Sequence, residues 1–457
     1  MNIELIDSHC HLDMEPFDID RDEVIKRAKE SGVGYIINIG SDREGNIKSL
    51  AIADKFPHIY STIGIHPHDA KTLDDKLFNE LKEWAKNPKV VAIGEIGLDY
   101  HYMHSAKDIQ ISAFKKQIAL AKELSLPITV HSREAEDDTL DILNKDAKGL
   151  TGILHCFSGD VNMAKKVIDM GFYISIAGPV TFKKAEELRE VAKMIPDENL
   201  LIETDAPYLS PVPMRGKRNE PAYVRYTAQA IADIRGVTLE DIARITTLNA
   251  KSLFKIGAIP KNGAIAYRIR DSLYLNITNR CTNRCSFCVR FHTSFVKGHN
   301  LHLENEPSAK DVINAIGDPS HYKEVVFCGL GEPLMRLDIV KEVSTWLKSK
   351  RSRVRINTNG HGNMIHKRNI LPELEGLVDS MSISLDADNK EKYDKVCKPD
   401  FKDSFEGVIS FIREAKKYIP EVNVTVVKLP DIDIEKCEKI AKDLGVGIRI
   451  RDYNVVG

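Results

Sequence analysis

Asn276-Ile-Thr-Asn-Arg-Cys-Thr-Asn-Arg-Cys-Ser-Phe-Cys288 grows out of the apolar run Leu273 to Ile277, which reads as a strand. The stretch sets Cys281, Cys285 and Cys288 at Cys-x3-Cys-x2-Cys spacing on one loop behind that strand. Three thiolates so placed can hold three corners of a [4Fe–4S] cluster, whose irons normally take four cysteines, and leave one iron open to a small molecule. Structural zinc wants a fourth ligand; His292 could supply it, but no second Cys-x2-Cys follows at short range.

Downstream, the predicted strand Glu324-Val-Val-Phe-Cys328 runs into Gly329-Leu-Gly-Glu-Pro333, where glycine lets the backbone approach a ligand closely. Val354-Arg-Ile-Asn-Thr-Asn-Gly360 and Met381-Ser-Ile-Ser-Leu-Asp386 are further strands with polar tips, for which ordinary turn chemistry is the competing reading. The cysteine loop and the Gly-Glu-Pro strand end resemble the radical S-adenosylmethionine (radical SAM) superfamily. That resemblance implies one [4Fe–4S] cluster on Cys281, Cys285 and Cys288, and S-adenosylmethionine held by Gly329, Gly331, Glu332 and Pro333. It also implies contacts from Asn357, Ser384 and Asp386, and an electron donor such as flavodoxin or ferredoxin. The superfamily's later glycine-bearing strand motif is not recognisable in Val422-Asn-Val-Thr-Val-Val-Lys428.

The 457 residues are enough for two or three domains, and 42% hydrophobic with 29% charged residues is an ordinary globular composition. No run of 18 apolar residues occurs and the first residues lack a basic, apolar leader, so a cytoplasmic protein with no membrane segment is expected. The net charge of −2 balances an acidic stretch 1–258 against a basic 259–457, without a polybasic tail. Cys10, Cys156, Cys328, Cys397 and Cys437 are scattered and read as packing residues rather than a disulfide framework. Gly and Pro in Ile256-Gly-Ala-Ile-Pro-Lys-Asn-Gly-Ala264 mark a break. The expected domains are 1–258 and 269–457, joined by a linker at 259–268.

Residues 1–258 alternate short apolar strands, near 3–7, 33–39, 60–65, 90–95, 127–131, 151–155, 172–176 and 200–204, with amphipathic helices such as 21–30, 106–123 and 185–194. Eight βα units in this length predict a closed (β/α)8 TIM barrel. Residues 271–457 place strands near 273–278, 324–328, 354–357, 379–384, 422–427 and 447–451, which predicts a partial (β/α)6 barrel. The fold class is therefore α/β in both parts.

In the first barrel the polar residues fall at strand C-termini, where such barrels carry active sites. His9 and His11, in Asp7-Ser-His-Cys-His-Leu-Asp13, are two apart, so strand alternation puts both imidazoles on one face and Cys10 on the other. Glu95 sits in Ile93-Gly-Glu-Ile-Gly-Leu-Asp-Tyr100, His131 in Val130-His-Ser-Arg133, His155 in Leu154-His-Cys-Phe-Ser-Gly159, and Asp205 in Ile202-Glu-Thr-Asp-Ala-Pro-Tyr208. Six ligand-type residues at five strand ends are not explained by packing.

This set resembles the TatD family of metal-dependent hydrolases, with signature blocks throughout residues 1–258. The resemblance implies two divalent ions, one held by His9, His11, Glu95 and Asp205 and the other by Glu95, His131 and His155. Zinc, manganese and magnesium all remain open as the metal. Asp205 would serve as base and Glu95 as the bridging ligand, acting on a phosphoester such as a DNA 3′ end in the manner of a 3′–5′ exonuclease. His66, in Gly64-Ile-His-Pro-His68, is a candidate phosphate contact or a turn stabiliser. In Val212-Pro-Met-Arg-Gly-Lys-Arg-Asn-Glu-Pro221, Arg215, Lys217 and Asn219 are candidate substrate contacts, since cations gathered at one mouth would focus an anionic substrate. The whole chain then reads as a bifunctional enzyme like TatD-associated radical SAM proteins. The alternative is a hydrolase of small esters or amides whose cysteine cluster is a structural or binding module.

Overall fold

The computed structural model describes residues 3–453, which divide into two compact units between Ile259 and Pro260. In the first unit β1 (Leu5–Cys10), β2 (Val33–Ile39), β3 (Ile59–Ile63), β4 (Val90–Asp99), β5 (Ile128–Arg133), β6 (Gly152–Leu154), β7 (Tyr173–Ile176) and β8 (Leu200–Ile202) pair in sequence order. All neighbours are parallel, and β8 returns to β1 through Asp205 N–H to the His9 carbonyl at 2.9 Å and His11 N–H to the Ala206 carbonyl at 2.7 Å. The expected eight-stranded barrel is present. Strands β1 and β4 are buried along their whole length, the pattern of parallel strands covered on both faces. Helices Arg21–Glu30, Lys107–Leu124 and Glu186–Met194 form where apolar residues recur at helical spacing, and the second packs Phe114, Ile118 and Ala121 into the core. Several boundaries differ from expectation, among them β1, which runs on to Cys10. β4 runs on to Asp99, whereas β8 stops at Ile202, so Asp205 lies on the loop beyond it.

The second unit contains β9 (Ala266–Ile269), β10 (Ser272–Leu275), the short hairpin β11 (Phe295–Val296) and β12 (His299–Asn300), β13 (Glu324–Phe327), β14 (Val354–Thr358), β15 (Ser380–Ser384), β16 (Glu421–Lys428) and β17 (Gly447–Asp452). Its main sheet has the order β17-β16-β15-β14-β13-β10-β9. The six expected strands are all there and parallel. The seventh, β9, pairs antiparallel with β10 through the turn at Arg270 and Asp271. Residues 266–268, assigned above to the linker, therefore belong to the sheet. They cover the β10 edge, which would otherwise expose unpaired backbone groups.

The sheet has two unlike faces. Val354, Ile356, Met381, Ile383, Val424 and Val426 have no exposed surface and pack in one core with apolar residues of helices Leu337–Ser349, Ser404–Tyr418 and Ile434–Leu444. The alternate residues Arg355, Asn357, Ser382, Ser384, Asn423 and Thr425 are only partly buried on the other face. Among the described residues no helix is long and apolar enough to cross a membrane.

Candidate metal centre and cysteine loop

At the end of β1, Cys10 is packed in the core while His9 and His11 turn into the barrel mouth, as strand alternation requires. Their Nε2 atoms are 3.2 Å apart. His9 Nε2 lies 3.5 Å from Glu95 Oε2 and 3.7 Å from Asp205 Oδ1, and His11 Nε2 lies 3.6 Å from each of the same atoms. These carboxylate–imidazole separations are too long for good hydrogen bonds. They match the edges of a coordination shell, because tetrahedral ligands at about 2.0–2.1 Å from one ion stand roughly 3.3–3.4 Å apart.

The other oxygen of Glu95 faces a second group of donors. Glu95 Oε1 is 2.9 Å from His131 Nδ1, 2.8 Å from His155 Nε2 and 3.4 Å from His66 Nε2. His131 Nδ1 and His155 Nε2 are 3.2 Å apart. One carboxylate thus stands between two imidazole sets, and the His9 and His155 rings stack at 3.8 Å to close the space between them. Burial would raise the Glu95 carboxyl, but the imidazoles of His155, His66 and His131 hold it well below the usual range. The balance is the same at Asp205, where burial is outweighed by His11, His9 and His155.

Two further carboxylates flank this set. Asp99 accepts from His131 Nε2 at 3.2 Å and His68 Nε2 at 2.9 Å. Glu203 accepts from the Cys156 backbone N–H at 2.6 Å and lies 3.5 Å from His155 Nδ1. A hydrogen-bonded carboxylate such as Asp99 fixes the ring and tautomer of a ligating histidine, whereas Glu203 stands with His9 and His155 close enough to share an ion. Neither Asp99 nor Glu203 was anticipated, although Asp99 lies at alternating spacing from Glu95 on β4; Glu203 lies just beyond the end of β8. Packing around the centre is tight. Gly97 has φ +143°, and a Cβ there would lie 2.0 Å from the His131 carbonyl oxygen. Asp205 itself is left-handed at φ +56°, a conformation that concentrates at functional sites.

The candidate substrate contacts divide. His66 stabilises its turn, with Nδ1 accepting from the His68 N–H at 3.1 Å, while its Nε2 faces Glu95 at 3.4 Å. His66, Glu95 and His131 are close enough to share an ion, so His66 belongs with the metal-type donors. Arg215 and Lys217 are exposed on the loop after β8, with the Arg215 guanidinium over the Phe182 ring at 4.4 Å. Asn219 is a correction. It has no exposed surface, and its amide N–H groups go to the Thr204 and Tyr208 carbonyls at 2.8 and 2.6 Å, so it braces the loop and cannot reach a substrate.

In the second unit the cysteine loop follows β10 at the C-terminal end of the sheet. Antiparallel bonds from Arg284 N–H to the Cys397 carbonyl at 2.9 Å and Ser286 N–H to the Val396 carbonyl at 2.8 Å strap it to the helix Lys390–Cys397. Cys281, Cys285 and Cys288 remain partly exposed, and Cys281 Sγ accepts from Asn283 N–H at 3.5 Å and Asn359 Nδ2 at 3.7 Å. Among the described residues the groups that could share a single ion all lie in the first unit, and these cysteines are not among them.

Gly331 brings the β13 end onto this loop, since a Cβ there would meet the Thr278 and Arg280 carbonyl oxygens, both at 2.4 Å. Gly329 likewise abuts Asn276, and Pro333 is buried at the start of the turn Pro333–Arg336. The Glu332 carboxylate, pushed up to about 7 by burial, accepts from Leu334 N–H at 3.0 Å, Thr358 Oγ1 at 2.8 Å and Asn359 N–H at 2.7 Å. It therefore ties the β13 end to the β14 end. Asn357 accepts from Arg355 at 2.7 Å, Ser384 Oγ is 3.5 Å from Thr425 Oγ1, and Asp386, raised to about 6 by burial, accepts from Val427 N–H at 3.3 Å. All lie at or just beyond the C-terminal ends of parallel strands and so stand on the side of the cysteine loop.

Comparison with known proteins agrees with this division. The TatD related DNase family matches residues 6–255, and the radical SAM superfamily matches residues 275–444. The metal-dependent hydrolase YabD of Bacillus subtilis is 49% identical over 253 residues, covering 99% of that protein and 55% of this chain. The 3′–5′ ssDNA/RNA exonuclease TatD of Salmonella typhimurium is 38% identical over 258 residues, again 99% of that protein and 55% of this chain. The crystal structure of YjjV, a TatD homologue from Escherichia coli, is 30% identical with a TM-score of 0.52, covering all of that chain and 56% of this one. This chain is an enzyme that belongs to the TatD family of metal-dependent hydrolases and carries a radical SAM domain after the barrel.

Proposed function

We propose that residues 1–258 hydrolyse phosphoester bonds at nucleic-acid ends, and that residues 269–457 bind one [4Fe–4S] cluster and S-adenosylmethionine. The observation that carries the first part is Glu95, with one oxygen toward His9 and His11 and the other toward His131 and His155. His9, His11, Glu95 and Asp205 would hold one divalent ion, and Glu95, His131 and His155 the other. Zinc, manganese or magnesium bound there would supply a Lewis acid and make water acidic enough to attack at neutral pH. Asp205, kept ionised by its histidine neighbours, takes the proton of the attacking water. Asp99 and Glu203 keep His131 and His155 aimed, and Arg215 with Lys217 attracts the anionic substrate. The name of the Salmonella relative favours a single-stranded end.

In the second domain Cys281, Cys285 and Cys288 would ligate three irons. Gly329, Gly331, Glu332 and Pro333, with Asn357, Ser384 and Asp386, would line the S-adenosylmethionine site. Together the cluster and S-adenosylmethionine supply radical chemistry, while the chain supplies binding and orientation. A flavodoxin or ferredoxin in the cytoplasm would deliver the electron.

The test is hydrolysis by full-length protein after chelation and after return of each metal, on a 3′-labelled oligonucleotide, a chromogenic phosphodiester and an acyl ester. Metal-dependent cleavage of the first two supports the assignment. Cleavage of the acyl ester alone would replace it with ester or amide hydrolysis.

A further inference from the structure

The helix-free face of the C-terminal sheet is polar, and its charge is one-sided toward β17. In a parallel sheet, paired residues on neighbouring strands project to the same side. Ser384 pairs with Thr425, Thr425 with Arg449, and Val427 with Arg451, so both arginines lie on the face that carries Ser384 rather than the one buried under the helices. Arg355 shares that face but is already engaged, donating to Glu324 at 2.8 Å and Asn357 at 2.7 Å. Arg449 and Arg451 are exposed and have no ion-pair partner among the described residues.

Charged residues on an edge strand commonly serve only to block pairing with another chain. Arg451 does more than that. It pairs with Val427, whose backbone N–H donates to Asp386 Oδ1 at 3.3 Å, so it stands beside the end of β15, on the side of the sheet that carries the cysteine loop.

We propose that the substrate of the radical SAM domain is a small polar anion, carrying a carboxylate or a phosphate, anchored on this face by Arg449 and Arg451. The inference rests on the radical SAM reading of the domain. A guanidinium binds either oxyanion through two parallel hydrogen bonds, and the hydroxyls of Ser382 and Thr425 supply neutral donors and acceptors beside it. The partly exposed polar groups of this face then gain the partners that a covered sheet would have given them.

The experiment uses full-length protein, reconstituted anaerobically and saturated with S-adenosylmethionine, titrated calorimetrically with inorganic phosphate and with succinate. Wild type is compared with an Arg449→Met/Arg451→Met double variant; both sites are exposed, and an Arg449→Lys/Arg451→Lys variant controls for charge alone. The Met variant should lose about tenfold or more in affinity for at least one probe. Iron content and S-adenosylmethionine affinity should stay as in wild type. The probe that responds identifies the oxyanion, and phosphate bound at the metal centre of the first domain contributes equally to every titration. Unchanged binding of both probes would overturn the proposal. So would an equal loss of S-adenosylmethionine affinity, which would assign the arginines to the cofactor. Wild-type protein that takes up neither iron nor S-adenosylmethionine would overturn the radical SAM reading instead, and the anion titration would remain readable.

Discussion

Inside the closed barrel, Ser8 Oγ meets Ser175 Oγ at 3.0 Å and the Ile202 carbonyl at 2.9 Å, with neither serine exposed. On the open sheet, Ser382, Ser384 and Thr425 occupy equivalent face positions but remain partly exposed, and the Ser384–Thr425 contact is a long 3.5 Å. Eight strands joined into a ring bury their polar groups and gather the imidazoles and carboxylates at the mouth, at metal-ligand spacing. Six parallel strands with a seventh on one edge leave a polar face free for a larger ligand. The first domain thus gathers buried imidazoles and carboxylates within 4 Å of one another, whereas the second presents three partly exposed thiols beside a partly exposed polar face.

The largest effect should come from the cysteines. Changing Cys281, Cys285 or Cys288 to Ala should abolish iron uptake and reductive cleavage of S-adenosylmethionine, and leave phosphodiester hydrolysis untouched; Cys328→Ala should keep its iron. A cysteine variant that lost both activities would show that the two centres are not separately built. Next in size, Asp205→Asn should cut hydrolysis by about 10²-fold or more, the scale of a general base, without changing iron content. Normal turnover in that variant would remove Asp205 from the chemistry.

Glu203→Gln should weaken divalent-metal affinity by roughly 10–100-fold, because His155 loses the carboxylate that orients it, and excess metal should restore the rate. If added metal fails to rescue, Glu203 acts on something other than metal binding. The smallest change is expected from Arg215→Ala. It should raise KM several-fold with kcat nearly unchanged, and the difference from wild type should shrink as salt rises. A fall in kcat alone would instead place Arg215 at the reacting group.

The sequence revealed the elements whose signal is a period. The eight barrel strands and the six parallel strands stood out as apolar runs, and His9, His11, Glu95, His131, His155 and Asp205 stood out because ligand-type residues recur at strand ends. β9 escaped because it is four residues long, contains Arg268, and turns into β10 through Arg270 at φ +55° rather than through the glycine or asparagine that usually marks a tight turn. Asp99 was readable by the same alternation that pairs His9 with His11, and Glu203 lies past the end of β8, but acidic residues are common and nothing in one dimension shows that a carboxylate points at an imidazole from another strand. Asn219 misled for the converse reason: a polar residue in a basic loop reads as a ligand contact, and only the fold shows both amide hydrogens bonded to backbone carbonyls.

The central claim is that one chain carries two separately assembled cofactor centres. Elemental analysis of anaerobically reconstituted wild type, Glu95→Gln and Cys285→Ala tests it most directly. Wild type should hold about two divalent ions and about four irons per chain. Glu95→Gln should lose the divalent ions and keep the iron, and Cys285→Ala should do the reverse. Zinc in place of iron at the cysteine loop, or one substitution that empties both centres, would contradict the account.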